Sequence, residues 1–162
     1  MARGAKDPQV LHPALGERAR ILFVSGRRPE ARVAIEELLA VVAATGTDLN
    51  MASWFVSAVL VLGAEGRGAE LVELARSAPP TPWIEAGKAI AVGNFVVAAD
   101  GLGTIGSRPE EAFARLLAGE QLAAEGRGPE AEAQLGLALE FYRSVDASAY
   151  VQRAEALLRS TA

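Results

Sequence analysis

Apolar side chains recur along this chain every three or four residues, in runs that are separated by short polar links. One clear example is the series Leu135, Ala138, Leu139 and Tyr142. Because an α-helix has about 3.6 residues a turn, this spacing places apolar side chains on one face of a helix. No segment alternates convincingly between apolar and polar residues, as a half-buried strand would. The pattern therefore predicts an all-α protein.

The apolar runs and the links between them predict nine helices. Their approximate spans are 9–25, 29–45, 50–65, 68–77, 82–92, 95–106, 109–125, 129–144 and 147–159. The longest uncharged run, from Leu49 to Ala64, is interrupted by Asn50, Ser53 and Ser57. This run is shorter than the roughly 20 apolar residues that a membrane-spanning helix needs, so we interpret it as a buried helix.

The links share a composition that ends one helix and starts the next. Four of them contain a glycine, namely Gly26, Gly66, Gly93 and Gly126. Glycine ends a helix at little steric cost, and a proline followed by a glutamate suits the first turn of the next helix. Such prolines are Pro29, Pro109 and Pro129. The glycines lie 40, 27 and 33 residues apart, close on average to the 34-residue period of a helix–turn–helix repeat.

This spacing organises residues 1–162 as one repeat domain with two different ends. Its hairpins span about 9–45, 50–77, 82–106 and 109–144, and a capping helix follows at 147–159. The last helix has the one-sided apolar pattern of a terminal cap. The first helix is apolar around much of its circumference. We therefore expect its outer face to be covered by upstream repeats of a longer parent protein or by a second copy of this chain.

The fourth hairpin is specific enough to compare with a known family. Its sequence, AGEQLAAEGRGPEAEAQLGLALEFY, resembles a tetratricopeptide (TPR) repeat, with small residues at the matching positions Ala118-Gly119, Gly126, Ala131 and Ala138-Leu139. The first and third hairpins keep this phase, whereas the second has Val59 and Leu71 where small residues are expected. The resemblance implies a right-handed superhelix of four hairpins with a C-terminal capping helix.

More narrowly, residues from about Asp7 to Leu158 resemble the C-terminal TPR-like tail of bacterial signalling proteins that carry adenylate/guanylate cyclase and ATPase domains, a tail related to those of LuxR-type regulators. The stretch DLNMASWFVSAVLVLGAEGRG is part of this likeness. Neither cyclase catalytic residues nor a Walker loop is present in the sequence. The resemblance thus implies a non-catalytic scaffold for protein–protein interaction or regulation. The alternative is a ligand-sensing repeat domain that binds a small molecule on its concave face.

The TPR resemblance also implies a partner-binding concave face, lined by the first helix of each hairpin. The matching positions are Arg20, Phe23, Ser53, Val56, Leu60, Trp83, Ile90, Phe113, Leu116 and Glu120. Because this set is mostly apolar, we expect its partner to be an apolar helix or another domain of the parent protein. A clamp for an acidic peptide would need several basic or amide side chains, and only Arg20 qualifies.

Composition and charge exclude several functions. The chain has no cysteine, which excludes a disulfide framework, a thiolate zinc site and a cysteine nucleophile. A net charge of −4 argues against nucleic acid and against an anionic membrane as partners. The N-terminus has no apolar stretch of signal-peptide length, so we expect a cytoplasmic protein. The abundance of arginine, alanine and glycine indicates a GC-rich bacterial genome.

Three patterns could carry chemistry, and each also has a structural interpretation. His12 could ligate a metal, but a solvent-edge position at a helix start is favoured because its neighbours offer no ligand set. Residues 101–106 match G-x-G-x-x-G, and without flanking strands a glycine-weakened helix is favoured over a dinucleotide site. Basic residues that could meet phosphate or an acidic partner, or form a solvated helix face, are Arg18, Arg20, Arg27, Arg28 and Arg32. We expect no enzyme activity, metal or cofactor.

Overall fold

The computed structural model describes residues 7–46 and 53–161, and over these two ranges the chain consists of helices joined by short links. No strand occurs in these two ranges, so the predicted all-α class is confirmed. The helices are α1 Pro8–Val24, α2 Arg28–Thr45, α3 Ser53–Gly63, α4 Gly68–Leu74, α5 Pro82–Ala91, α6 Phe95–Thr104, α7 Arg108–Ala124, α8 Gly128–Ser144 and α9 Ser148–Thr161. Where both can be compared, the predicted and observed bounds differ by three residues or fewer. The predicted start of the third helix, residues 50–52, lies outside the described ranges.

The link glycines end helices as the sequence predicted. Gly26, Gly66, Gly93 and Gly126 all have φ between 73° and 76°, in the left-handed region that a residue with a Cβ rarely adopts. At the end of α7, the N–H of Arg127 donates a 2.9 Å hydrogen bond to the carbonyl of Leu122. This bond satisfies a carbonyl that would otherwise lack a partner within the helix.

The prolines of the links begin helices, also as predicted. Pro29, Pro109 and Pro129 occupy the first turns of α2, α7 and α8, each followed by a glutamate in the same turn. Proline loses no hydrogen bond there, because the first N–H groups of a helix have no partner within it. The glutamate carboxylate is favoured near the positive end of the helix dipole.

The helices form two compact units, Met1–Gly93 and Asn94–Ala162. In the first unit α1 packs against α2 and α3, and α3 also packs against α4 and α5. In the second unit α7 packs against α6, α8 and α9, and α8 also packs against α9. Helices α3 and α7 are therefore the central helices of their units.

Glycines allow the central helices to approach their neighbours closely. Gly16 of α1 faces the backbone of Trp54 in α3, where an added Cβ would lie 2.9 Å from the carbonyl oxygen. Gly119 of α7 faces Leu135 of α8, and a Cβ there would lie 2.5 Å from its Cγ atom. Atoms this close overlap, so these two positions admit only glycine without movement of their neighbours.

Candidate functional site

Most of the predicted concave-face residues lie in the core. The exposed fraction is 1% or less for six of them, which are Phe23, Val56, Leu60, Ile90, Phe113 and Leu116. Side chains this deeply buried offer no surface to a partner, so the structure does not place these six residues on a binding face. The physical reason is that the first helix of a hairpin packs against more than one neighbour, which covers faces that a single hairpin would leave open.

The other predicted residues reach the surface only in part. Arg20 forms a 2.7 Å ion pair with Glu17, one turn earlier on α1. Trp83 is half-buried at the start of α5. Glu120 is half-buried and pairs with Arg153 of α9. The side chain of Ser53 lies outside the described part of the structure.

Helix α9 lies against the face of α7 that the sequence assigned to a partner. The ring of Tyr150 meets the ring of Phe113 edge to face, with centroids 6.2 Å apart, and stacks on Tyr142 of α8 at 4.4 Å. Arg153 donates two hydrogen bonds to Glu120 from the same side of α9. The last helix therefore occupies this part of the second unit.

An exposed apolar surface lies instead on α1. Val10 is 46% exposed and Ile21 is 58% exposed. They are eleven residues apart, which is close to three helical turns, so both side chains point to one face of the helix. Leu15, Leu22 and Phe23 of the same helix point inward and are buried. Val10 and Ile21 are thus exposed apolar side chains on one face of α1, and the charged Glu17 lies between them on the same face. Other apolar side chains of the helix pack in the core.

Most arginines of the first hairpin are engaged within the chain. Arg27 pairs with Glu30 at 2.7 Å and Arg32 pairs with Glu65 at 3.5 Å. The guanidinium of Arg28 lies 4.4 Å from the ring centre of Phe23, in a cation–π contact. These contacts are those of a solvated helix face.

A further ion cluster joins the second helix to the link after α3. Arg67 lies 2.7 Å from both Glu36 of α2 and Glu70 of α4. Its hydrogen bonds lower the pKa of the Glu70 carboxyl below the ordinary value. The cluster therefore ties α2 to the start of α4.

A polar centre that the sequence analysis did not identify lies in the second unit. Arg115 of α7 is only 8% exposed. Its guanidinium donates a 2.9 Å hydrogen bond to Asp100 of α6, a 2.9 Å bond to Gln134 of α8 and a 3.2 Å bond to Glu111. Gly103 of α6 makes room for this centre, because a Cβ there would lie 3.0 Å from the Glu111 carboxylate. One buried charge thus connects three helices.

A small cavity opens beside this polar centre, between α7 and α8. Its volume is about 140 Å³. It is lined by Arg108, Glu111, Ala112, Arg115, Leu137, Glu140 and Phe141. All of these residues belong to the second unit. Two cationic and two anionic side chains therefore line a mostly polar cavity, to which Ala112, Leu137 and Phe141 add a small apolar part.

The sequence contained a signal for this centre. Arg115 interrupts the otherwise uncharged run from Ala112 to Gly119, all of which is buried. A charged residue inside a buried apolar run needs partners, because burial of an unpaired charge is unfavourable. Glu111 is one turn earlier on the same helix and is the partner that spacing alone could have indicated.

His12 does not lie at the solvent edge, and that prediction is wrong. Its side chain is completely buried, and its ring centroid lies 4.9 Å from that of Trp54. The Nε2 atom is 3.4 Å from the hydroxyl oxygen of Thr45 on α2. The aromatic ring completes the packing of α1 on α3, a role that the polarity of histidine concealed in the sequence.

The G-x-G-x-x-G segment lies at the end of a helix, in agreement with the structural interpretation of its sequence. Residues 101–104 belong to α6, and Gly106 ends that helix at φ 74°.

No group of three or more potential metal ligands occurs among the described residues. Within residues 7–46 and 53–161, none of the helices combines the length and the apolar character needed to cross a membrane.

Comparison with protein-family models, with curated proteins and with solved structures finds no match for this chain. The geometry of its own residues therefore carries the functional argument.

Proposed function

We propose that this chain is a non-catalytic module for protein–protein interaction. The observation that carries the proposal is the pair of exposed apolar side chains on α1, Val10 and Ile21, which project into solvent from one face about three turns apart. An apolar surface with a polar rim is typical of a site where another protein packs. The exposed rim residues here include Gln9, Arg18 and Ser25.

The partner that suits this face presents an apolar helix. A helix laid along α1 would bury both exposed side chains in one contact, in the way that an amphipathic helix fills an apolar groove. An acidic peptide is less well suited, because Arg20 of α1 already pairs with Glu17 and Arg27 of the next link with Glu30. A second copy of this chain carries the same apolar face and is therefore a partner of the right chemistry.

The setting that we infer is a larger bacterial signal-transduction protein, of which this chain is the C-terminal module in the cytoplasm. The resemblance to TPR-like tails supports this inference. In the first unit, the packing of α1 on α2, of α3 on α4 and of α1 on α3 agrees with two hairpins stacked on each other. A right-handed TPR-like superhelix remains part of this proposal.

A peptide titration tests the interaction function. Two labelled peptides of about 18 residues, long enough to form a helix, are added to the full chain. One is amphipathic with a leucine face, and the other is acidic with no apolar face. We expect saturable binding of the amphipathic peptide and none of the acidic peptide. Preferential binding of the acidic peptide, or no binding of either, would overturn the proposal.

Sedimentation velocity of the chain alone separates the two kinds of partner. A dimer at micromolar concentration would identify a second copy as the occupant of α1. A monomer that still binds the amphipathic peptide would identify a different protein as the partner.

A second candidate function is the binding of a small molecule, and one observation favours it. The cavity between α7 and α8 brings the charged side chains of Arg108, Glu111, Arg115 and Glu140 together in one unit. Convergent polar groups in a concave site are typical of ligand-binding pockets.

A further inference from the structure

The cavity between α7 and α8 has a balance of charge that restricts its ligand. Its two arginines and two glutamates cancel formally. A ligand with a net charge would therefore meet repulsion from one pair as well as attraction from the other. A ligand that carries both signs can satisfy both.

The charged groups of the cavity differ in how far they are already satisfied. Arg115 and Glu111 bond to each other at 3.2 Å, and Arg115 also binds Asp100 and Gln134. Arg108 is 60% exposed, and the carboxylate nearest to it in an ion pair, that of Glu111, is 4.0 Å away. Glu140 is exposed and makes no ion pair with any residue that the structure describes. Arg108 and Glu140 thus remain available, one as a hydrogen-bond donor and one as an acceptor.

The rest of the lining is hydrocarbon. Ala112 is buried near the N-terminal end of α7. Leu137 is 47% exposed on α8, and Phe141 is half-buried one turn further along the same helix. These side chains can contact an apolar group of a ligand whose charged groups face Arg108 and Glu140.

We propose that this cavity binds a free α-amino acid with a small apolar side chain. The ligand carboxylate would accept hydrogen bonds from Arg108, and its ammonium group would donate to Glu140. The volume of about 140 Å³ agrees with this size. A cavity of about 150 Å³ is known to accept benzene, so a ligand of roughly six to eight non-hydrogen atoms is appropriate. This inference specifies the second candidate function and is independent of the interaction surface on α1.

The test compares valine with two analogues that each lack one charge. L-Valine, isovalerate and isobutylamine are titrated separately into the full chain while backbone amide chemical shifts are recorded. We expect saturable shifts with valine that are concentrated at residues 108–115 and 137–141. We expect the two analogues to bind at least about tenfold more weakly, because each loses one charge-assisted hydrogen bond.

Variants at two exposed positions assign the charged contacts. Arg108→Gln and Glu140→Gln should each weaken valine binding at least about tenfold. Glu132→Gln on α8 and Arg159→Gln on α9 are matched controls, because both side chains are exposed and lie outside the cavity lining. Circular dichroism verifies that all four variants keep their helices.

Three results would overturn the proposal. Equal binding of isovalerate would identify an anion site, and equal binding of isobutylamine would identify a cation site. The absence of saturable shifts up to about 50 mM valine, which corresponds to less than about 2 kcal/mol of binding free energy, would mean that the cavity holds only water. Because the peptide titration probes α1 in the other unit, its outcome is separate from each of these results.

Discussion

The guanidinium of Arg153 on α9 donates hydrogen bonds of 2.6 and 2.9 Å to the two carboxylate oxygens of Glu120 on α7. Both side chains are partly buried, with 21% and 28% of their surface exposed. Such two-point pairs are stronger and more directional than single contacts. Together with the ring of Tyr150 against Phe113, this pair fixes the last helix on the second unit.

Removal of the Arg153–Glu120 pair should destabilise the chain measurably. We expect Arg153→Ala to lower the free energy of unfolding by about 1 to 2 kcal/mol, since the pair is bidentate and shielded from solvent. The control is Arg143→Ala, whose pair with Glu155 is more exposed and should contribute no more than about 0.5 kcal/mol. Urea denaturation followed by circular dichroism gives both values. Equal losses in the two variants would show that α9 does not depend on this pair.

Gly119 and Gly136 should respond to alanine with opposite signs. Gly119→Ala places a Cβ against the buried side chain of Leu135. We therefore expect the free energy of unfolding to fall by about 1 to 2 kcal/mol, despite the better helix propensity of alanine. Gly136 lies on the exposed side of α8, and a Cβ added there would have no neighbouring atom within 4 Å. Gly136→Ala should therefore raise the free energy of unfolding by as much as about 1 kcal/mol. Thermal unfolding of the two variants checks the prediction. Stabilisation by both substitutions would refute the close approach of α7 and α8.

Two helix ends provide a complementary test of backbone conformation. Gly126 after α7 and Asp146 after α8 both have positive φ, at 75° and 53°. Gly126→Ala should lower the free energy of unfolding by about 1 kcal/mol, because a Cβ is disfavoured there. Asp146→Gly should raise it by up to about 1 kcal/mol for the same reason. Chemical denaturation of the two variants measures both changes, and changes of the same sign would contradict this account.

Arg115 should be the most sensitive charged position of the second unit. Arg115→Met keeps an unbranched side chain but removes the guanidinium, so Glu111 and Gln134 lose the hydrogen bonds that Arg115 donates. We expect the free energy of unfolding to fall by about 2 kcal/mol. This is less than the usual effect of breaking a buried ion pair, because the side chain of Asp100 is 64% exposed. Arg159→Met is the control, and it should change stability by less than about 0.5 kcal/mol. If Arg115→Met were as stable as the parent chain, the polar centre would have no structural role.

The helices could be predicted from the sequence because their signals are local. A glycine such as Gly126 that ends one helix and a proline such as Pro129 that starts the next act within a few residues of the chain. The uncharged run of α3 was also informative, since residues 54–62 are all buried. Such a run leaves no charged side for solvent, so the sequence indicates a buried helix without any knowledge of its neighbours.

The candidate sites could not be predicted in the same way, because burial depends on contacts distant in sequence. Phe113 has the apolar character expected of a partner surface, but Tyr150, 37 residues later, packs against it. The polarity of His12 suits solvent, but Trp54 packs against its ring. Exposed apolar side chains on α1 were expected because that helix is apolar around much of its circumference. The polar centre around Arg115 instead depends on three helices that meet only in the folded chain.

The affinity of the amphipathic peptide for two matched variants tests the interaction function most directly. Ile21 on α1 and Val97 on α6 are exposed to a similar extent, 58% and 55%. Glutamate at residue 21 would place a charge in the proposed contact, whereas glutamate at residue 97 would lie in the other unit. We predict that Ile21→Glu weakens peptide binding at least about tenfold and that Val97→Glu leaves it unchanged. Equal affinities for the two variants would contradict a partner surface on α1.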